Sequence, residues 1–310
     1  MQKEKIDFAI GGQAVIEGVM MRSPHHVVVS VRKESGKIKS KHENFLSLTQ
    51  KHKIFSLPVL RGMVGLIEMM IVGYRALNFS ANESVEENPK EKHEKTTLEN
   101  IGDIILMLFS IILALAIGIF LFKFVPLSLA EFLSNNFPLI KENYVLYNII
   151  DGITKTLIFV GYIWVISLAP TFKRVFEYHG AEHKAVYAYE KGLKLTVQNA
   201  KKQIRFHPRC GTSFVFVVFA ISILIYTLFP KLDEFYLNLT LRVALLPVIA
   251  GVAYEALKLS AKHTKKWWVK VLIAPGLWFQ RITTREPNEA QLEVALDSLE
   301  KALEQEGKGK

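Results

Sequence analysis

The apolar positions of the 310-residue chain fall into two patterns: long uncharged runs, and shorter stretches with a period of two or of three to four. Residues 104–122, IILMLFSIILALAIGIFLF, contain no charged side chain, and further apolar runs follow at 157–170, 213–229 and 243–254. A helix needs about 20 mostly apolar residues to cross the hydrocarbon of a bilayer. The first run meets that outright. The second meets it only if LYNIIDGITKT, residues 146–156, supplies its outer turns, with Asp151 and Lys155 four apart and able to pair. The third run is short but adequate, and the fourth begins near Leu241. Four spans within residues 101–258 are the expectation; buried helices of a soluble core are the alternative for the weaker runs. The stretch 58–77 carries Arg61, Glu68 and Arg75 and predicts an amphipathic or re-entrant helix rather than a fifth span.

The other patterns flank this region. HHVVVSVRK and KIKSKHENF alternate around a Ser-Gly turn, which predicts a hairpin within a small β-rich unit at residues 1–56. Before it, FAIGGQAVIEGVMMRSP reads as a strand-like run flanked by glycines. Glu17 within that run is either a solvated carboxylate on an outer face, or is aimed at something the glycine backbone approaches closely. Residues 57–81 form the amphipathic segment, and 82–100 a charged, apolar-poor linker whose His93 reads as solvated. Residues 259–310 combine an interfacial segment holding three tryptophans with a C-terminal amphipathic helix. Leu292, Ala295, Leu296, Leu299 and Leu303 share one side of that helix. Thr284 is a candidate cap for it, with Pro287 in the first turn. The fold class expected is mainly α: a polytopic membrane protein with about four transmembrane helices and a small N-terminal β-rich cytoplasmic unit.

Composition supports this. Half the residues are hydrophobic, with a mean hydropathy of +0.21 and a net charge of +10. Residues 170–212 hold nine Lys/Arg against three acids and the tail from Lys258 holds ten, whereas 123–145 hold two and 230–240 one. The positive-inside rule therefore puts both termini and the 170–212 loop in the cytoplasm. A single cysteine, Cys210, excludes an internal disulfide and suits a reducing compartment. The N-terminal residues lack the apolar region of a signal peptide.

The 170–212 loop carries the candidate chemistry. In EYHGAEHKAVYAYE, residues 177–190, His179, Glu182 and His183 project from one helical face, with Glu190 further along the same stripe. Two imidazoles one turn apart can hold a divalent ion, Zn²⁺ first among them. H-x-x-E-H is the inverted zincin order, in which the glutamate is the general base. Gly180 means either that the helix starts near His179 or that the backbone there is closely approached. Further ligands are offered by His207 and Cys210 in RFHPRCGTSF and by Glu255 at the end of the fourth run. A closed donor set would be structural and an open one catalytic. Cys210 as a nucleophile with His207 as its base is a minor alternative, and a hydrogen-bonded polar patch without metal is another. Arg209 and Arg285 are candidates to stabilise developing negative charge.

GGQAVIEGVMMRSP, EYHGAEHKAVYAYE, HPRCGTSF and RITTREP together resemble the bacterial YqhQ-like membrane protein family, over nearly the whole chain. That resemblance implies a bacterial inner-membrane, multi-pass protein and a predicted metal-dependent enzyme. It marks Glu17, His179, Glu182, His183, His207, Arg209, Cys210, Arg285 and Glu286 as motif residues, and it supplies no reaction. The leading expectation is a metal-dependent hydrolase at the cytoplasmic membrane surface acting on a lipid head group or a membrane-protein segment. The rival is a non-enzymatic membrane-biogenesis factor contacting the ribosome, RNA or the translocation machinery, with the metal or polar cluster holding the loop rigid. A transporter using Asp151 and Lys155 is a third.

Overall fold

The computed structural model describes residues 10–84, 97–229, 232–263 and 266–308; most of the 82–100 linker, His93 included, lies outside them. The chain is mostly helical, with one small antiparallel sheet near its N-terminus. Strands β1 (Gly11–Val15), β2 (Gly18–Arg22), β3 (His26–Arg32) and β4 (Ile38–Asn44) pair in sequence order. The principal helices are α1 (Leu60–Ser84), α2 (Thr97–Ile119), α3 (Val125–Asn136), α4 (Tyr144–Ile166), α5 (Pro170–Glu190), α6 (Gly211–Thr227), α7 (Phe235–Ala244), α8 (Leu246–Lys262), α9 (Trp267–Thr283) and α10 (Glu289–Lys308).

The chain forms two compact units. The first gathers Met1–Glu86, Ile163–Val217 and Gly251–Lys310. Its sheet is covered on both faces, so the alternation expected in β3 is replaced by apolar residues on each side, as in the apolar β2. Val19, Met21 and Val28 pack with Ala181 and Ala185 of α5 and with Leu292, Ala295 and Leu299 of α10. Met20, Val27, Val29 and Val31 face Ala76 and the half-buried Val72 and Phe79 of α1. Burying a Val, Leu or Met side chain contributes about 1.5–3 kcal/mol, which makes this sandwich the natural stabilising core of the unit. β4, with Lys39, Lys41, His42 and Glu43, is the polar edge that resists further pairing. The run around Glu17 is a hairpin rather than one strand: Val15 pairs with Gly18, and Glu17 takes a left-handed φ of 50° in the two-residue turn. The C-terminal helix begins after Asn288, whose side chain accepts from the Gln291 N–H while the Gln291 side chain accepts from the Asn288 N–H. That reciprocal cap displaces the expected role of Thr284, whose hydroxyl donates back to Gln280 O at 2.6 Å.

The second unit gathers Glu87–Tyr162 and Val218–Ala250. The stretch Leu108–Asn136, which runs from α2 into α3 through a π-helical turn at Phe120–Phe124, and α4 are each long and apolar enough to cross a membrane. The pair α7–α8, bent by 44°, would make a third span, and α6 is a shorter apolar helix of 17 residues. Inside this unit Asp151 accepts from Lys155 Nζ at 2.9 Å and from Arg242 Nη1 at 2.7 Å. Arg242 Nη2 donates to Asn148 Oδ1 at 2.5 Å, and Lys123 Nζ donates to the Tyr226 hydroxyl at 2.9 Å. All of these side chains are buried. Gly152 is required because a Cβ there would lie 2.3 Å from Ile223.

Candidate metal centre

The site is built on the middle of α5. The helix starts at Pro170, nine residues before His179, so Gly180 is interior and its role is close approach: a Cβ on it would sit 2.0 Å from the carbonyl oxygen of Arg285. Residues 283–286 lie against α5 as a strap, tied by the Arg285 N–H to Phe176 O at 2.8 Å. The strap sets one imidazole. His179 Nδ1 lies 2.8 Å from Thr283 O, so that nitrogen carries the proton and Nε2 keeps its lone pair. One turn on, His183 Nδ1 donates to the Arg205 carbonyl, which likewise frees Nε2. A backbone carbonyl fixing the far nitrogen is how proteins orient ligating histidines.

The two Nε2 atoms converge with Cys210, which sits at the N-terminus of α6 and whose thiol is in hydrogen-bonding reach of His179 Nε2. Donor atoms of His179, His183 and Cys210 all lie within 4.8 Å of one another, and His179 Nε2 is 3.2 Å from Cys210 Sγ. Tetrahedral Zn²⁺ with bonds of about 2.0–2.1 Å to nitrogen and 2.3 Å to sulfur would set N and S about 3.5 Å apart, so small side-chain adjustments suffice. His183 Nε2 is buried and has no hydrogen-bond partner. Such an atom costs about 1–3 kcal/mol of desolvation unless something binds it. The donor set therefore fits a divalent ion. Burial also lowers the His183 pKa, and the contacts with Cys210 and Arg205 offset this only in part, which favours the neutral, ligating form.

Glu182 completes the group. Its Oε2 is 3.5 Å from His183 Nε2, and its side chain packs on Gly12 of β1, where a Cβ would lie 2.7 Å from Glu182 Cγ. Burial raises the Glu182 pKa against the opposing effect of His179, His207 and the Gly12 N–H. Gly12 thus serves close approach of the backbone, and what it approaches is Glu182, whereas a Cβ on Gly11 would meet open space. Glu17 is held separately: its carboxylate takes a forked contact from Arg174 and lies 3.3 Å from the Tyr178 hydroxyl, joining the β1–β2 turn to α5.

Other sequence candidates have different partners. His207 Nδ1 accepts the Arg209 N–H at 3.3 Å, so its proton is on Nε2, which faces Glu190 Oε1 at 3.2 Å without the alignment of a hydrogen bond. This is the opposite tautomer from His179 and His183, and His207 is not one of the three converging donors. Burial raises the Glu190 pKa, but His207 and Arg209 outweigh it and hold the group below the usual carboxylate range. Arg209 is engaged by Glu190, Arg285 Nη2 donates to Ser167 O at 3.1 Å, and Glu286 pairs with Lys184. Glu255 does not join the cluster: it takes a bidentate contact from Arg61 and accepts the Val59 N–H at the start of α1, roles that account for a carboxylate at that boundary. Sequence reasoning missed the two carbonyls that set the tautomers, and Gln280, whose amide exchanges hydrogen bonds of 2.7 and 2.9 Å with the His207 backbone. Backbone carbonyls carry no sequence signal, and a lone glutamine in an apolar helix carries little.

The chain matches the family model described as a protein of unknown function, DUF1385, over residues 57–305. It is 36% identical over 311 residues to the uncharacterized protein YqhQ of Bacillus subtilis (strain 168), an alignment covering 98% of this chain and 95% of the relative. No solved structure matches it.

Proposed function

The chain belongs to the DUF1385 family, and from that premise we propose that it is an integral membrane, metal-dependent hydrolase with a His₂Cys centre. The observation that carries the reading is the convergence of three donors with lone pairs turned inward, beside the buried carboxylate of Glu182. His179, His183 and Cys210 would hold a divalent ion, Zn²⁺ by the N₂S donor set, and its chemistry when bound is Lewis-acid polarisation of a water and of the scissile bond. Glu182 accepts the proton of the attacking water as its oxygen bonds to the substrate, then returns it to the leaving group. Gly12 orients Glu182, while the Thr283 and Arg205 carbonyls hold the Nδ1 protons and so leave both Nε2 atoms to ligate. Four spans, made by the Leu108–Asn136 stretch, α4, α6 and the bent α7–α8 pair, would leave the basic 170–212 region and both termini in the cytoplasm of a bacterium. The substrate is then a lipid head group or membrane-protein segment at the inner surface.

Burial of Glu182, His183 and Cys210 favours one second reading. Glu182 would become a fourth ligand, the centre would be closed, and the metal would brace α5 in a membrane-biogenesis factor that contacts ribosome or translocation machinery. Glu182→Gln separates the two. In the hydrolase the variant keeps its metal and loses turnover of about 10²-fold or more, as removal of a general base does. In the closed centre it loses metal affinity.

A further inference from the structure

A second polar feature of the first unit has no part in that chemistry. A basin of about 490 Å³ is lined by Lys173, Arg205, Arg281 and Arg285, with only Glu177 and Glu286 as acids. Both acids are committed: Glu286 holds the buried Lys184, and Glu177 accepts from Gln291 Nε2 at 2.9 Å. The approach of Arg205 to Glu286, 3.6 Å, is longer than a hydrogen bond, and among the described residues the Arg285 guanidinium donates to the neutral Ser167 carbonyl alone. The side chains of Lys173 and Arg281 are exposed and make no hydrogen bond or ion pair among the described residues. Four cations against two engaged carboxylates leave a surplus of positive charge gathered around one hollow. α5, which opens beside it, has no side-chain cap and no acid in its first turn, so its positive end adds to the field.

The rim fixes the source of the anion. Trp164, 55% exposed, and Leu168, 64% exposed, border the basin at the end of α4, a helix apolar enough to cross a bilayer. Tryptophan and basic residues at the end of such a helix mark the depth of lipid head groups. Guanidinium groups bind phosphate through paired donors. We infer that this basin binds the phosphate of an anionic phospholipid, with its acyl chains along the Trp164–Leu168 edge. The inference requires neither a metal ion nor catalysis, although basin and metal centre share the 283–286 strap.

The test uses full-length protein, delipidated in a neutral detergent and titrated calorimetrically with short-chain phosphatidylglycerol, short-chain phosphatidylcholine and glycerol 1-phosphate. Phosphatidylglycerol is expected to bind at least tenfold more tightly than the other two. Lys173→Gln/Arg281→Gln, which touches two exposed side chains without partners, is expected to weaken it at least tenfold, and Arg281→Lys to retain most of it. Equal affinity for glycerol 1-phosphate would assign the basin to soluble phosphate esters and overturn the lipid assignment. No preference for the anionic lipid, or binding unaffected by the double substitution, would overturn the site altogether. Metal content measured on the same samples is expected to be unchanged in the double variant, so a failure of the metal reading registers separately.

Discussion

The two units bury polar groups in opposite ways. In the second, Asp151 lies between Lys155 and Arg242, Asn148 takes the other arm of Arg242, and Tyr226 accepts from Lys123 and donates to Arg242 O at 3.0 Å. Donors meet acceptors. In the first unit, the donors of His179, His183 and Cys210 meet one another, each imidazole proton having been drawn to a backbone carbonyl on the far side of its ring. Charge pairing explains the first arrangement. In the first unit the Cys210 thiol reaches His179 Nε2 while His183 Nε2 keeps a buried lone pair without a partner, and this difference, more than the presence of histidines, separates a candidate ligand set from a polar brace.

Substitutions can break the contrast from either side. The largest effect is expected from Asp151→Leu, which would leave Lys155 and Arg242 buried without their carboxylate. Loss of one partner of a buried pair costs about 3–5 kcal/mol, so thermal unfolding in detergent should show a collapse of stability. Wild-type behaviour would mean the cluster is not a brace. Next is Gly180→Ala, whose methyl must displace the Arg285 carbonyl. Overpacking costs about 1–3 kcal/mol, and movement of Thr283 should also lower metal affinity by about 10–100-fold. A variant with lower melting temperature but unchanged metal affinity would show that the strap does not orient His179. The smallest effect is expected from Glu190→Gln, which removes the carboxylate facing His207. Stability should fall by about 1 kcal/mol or less with metal content unchanged, because His207 has the wrong tautomer to ligate. Metal lost with Glu190→Gln would return His207 to the ligand set.

Much of the first unit was legible because its patterns are local. The apolar stripe of α10, the hairpin turn at Gly36 and the i, i+4 histidines of α5 each follow from one short stretch. Close approach was one of two open readings for Gly180 and for the glycines around Glu17. The structure bears it out at Gly180 and Gly12 but not at Gly11, and what approaches them was not legible. The Arg285 carbonyl and Glu182 come from segments more than a hundred residues away in the chain. The same limit hid the first unit's composition, since β2, α5 and α10 share a core through contacts that no window of sequence contains. Glu255 was misplaced for a related reason: a boundary carboxylate looks functional until its partner, Arg61, nearly two hundred residues earlier, is in view. His207 and His183 are alike in sequence, and only the hydrogen bond at the other ring nitrogen distinguishes them.

The central claim is that His179, His183 and Cys210 hold one divalent ion, and elemental analysis of protein purified without added metal tests it most directly. About one zinc or similar ion per chain is expected in the wild-type protein, falling below about a tenth in His179→Ala while Glu190→Gln stays at the wild-type level. Substoichiometric metal in folded wild-type protein, or equal metal in His179→Ala, would contradict it.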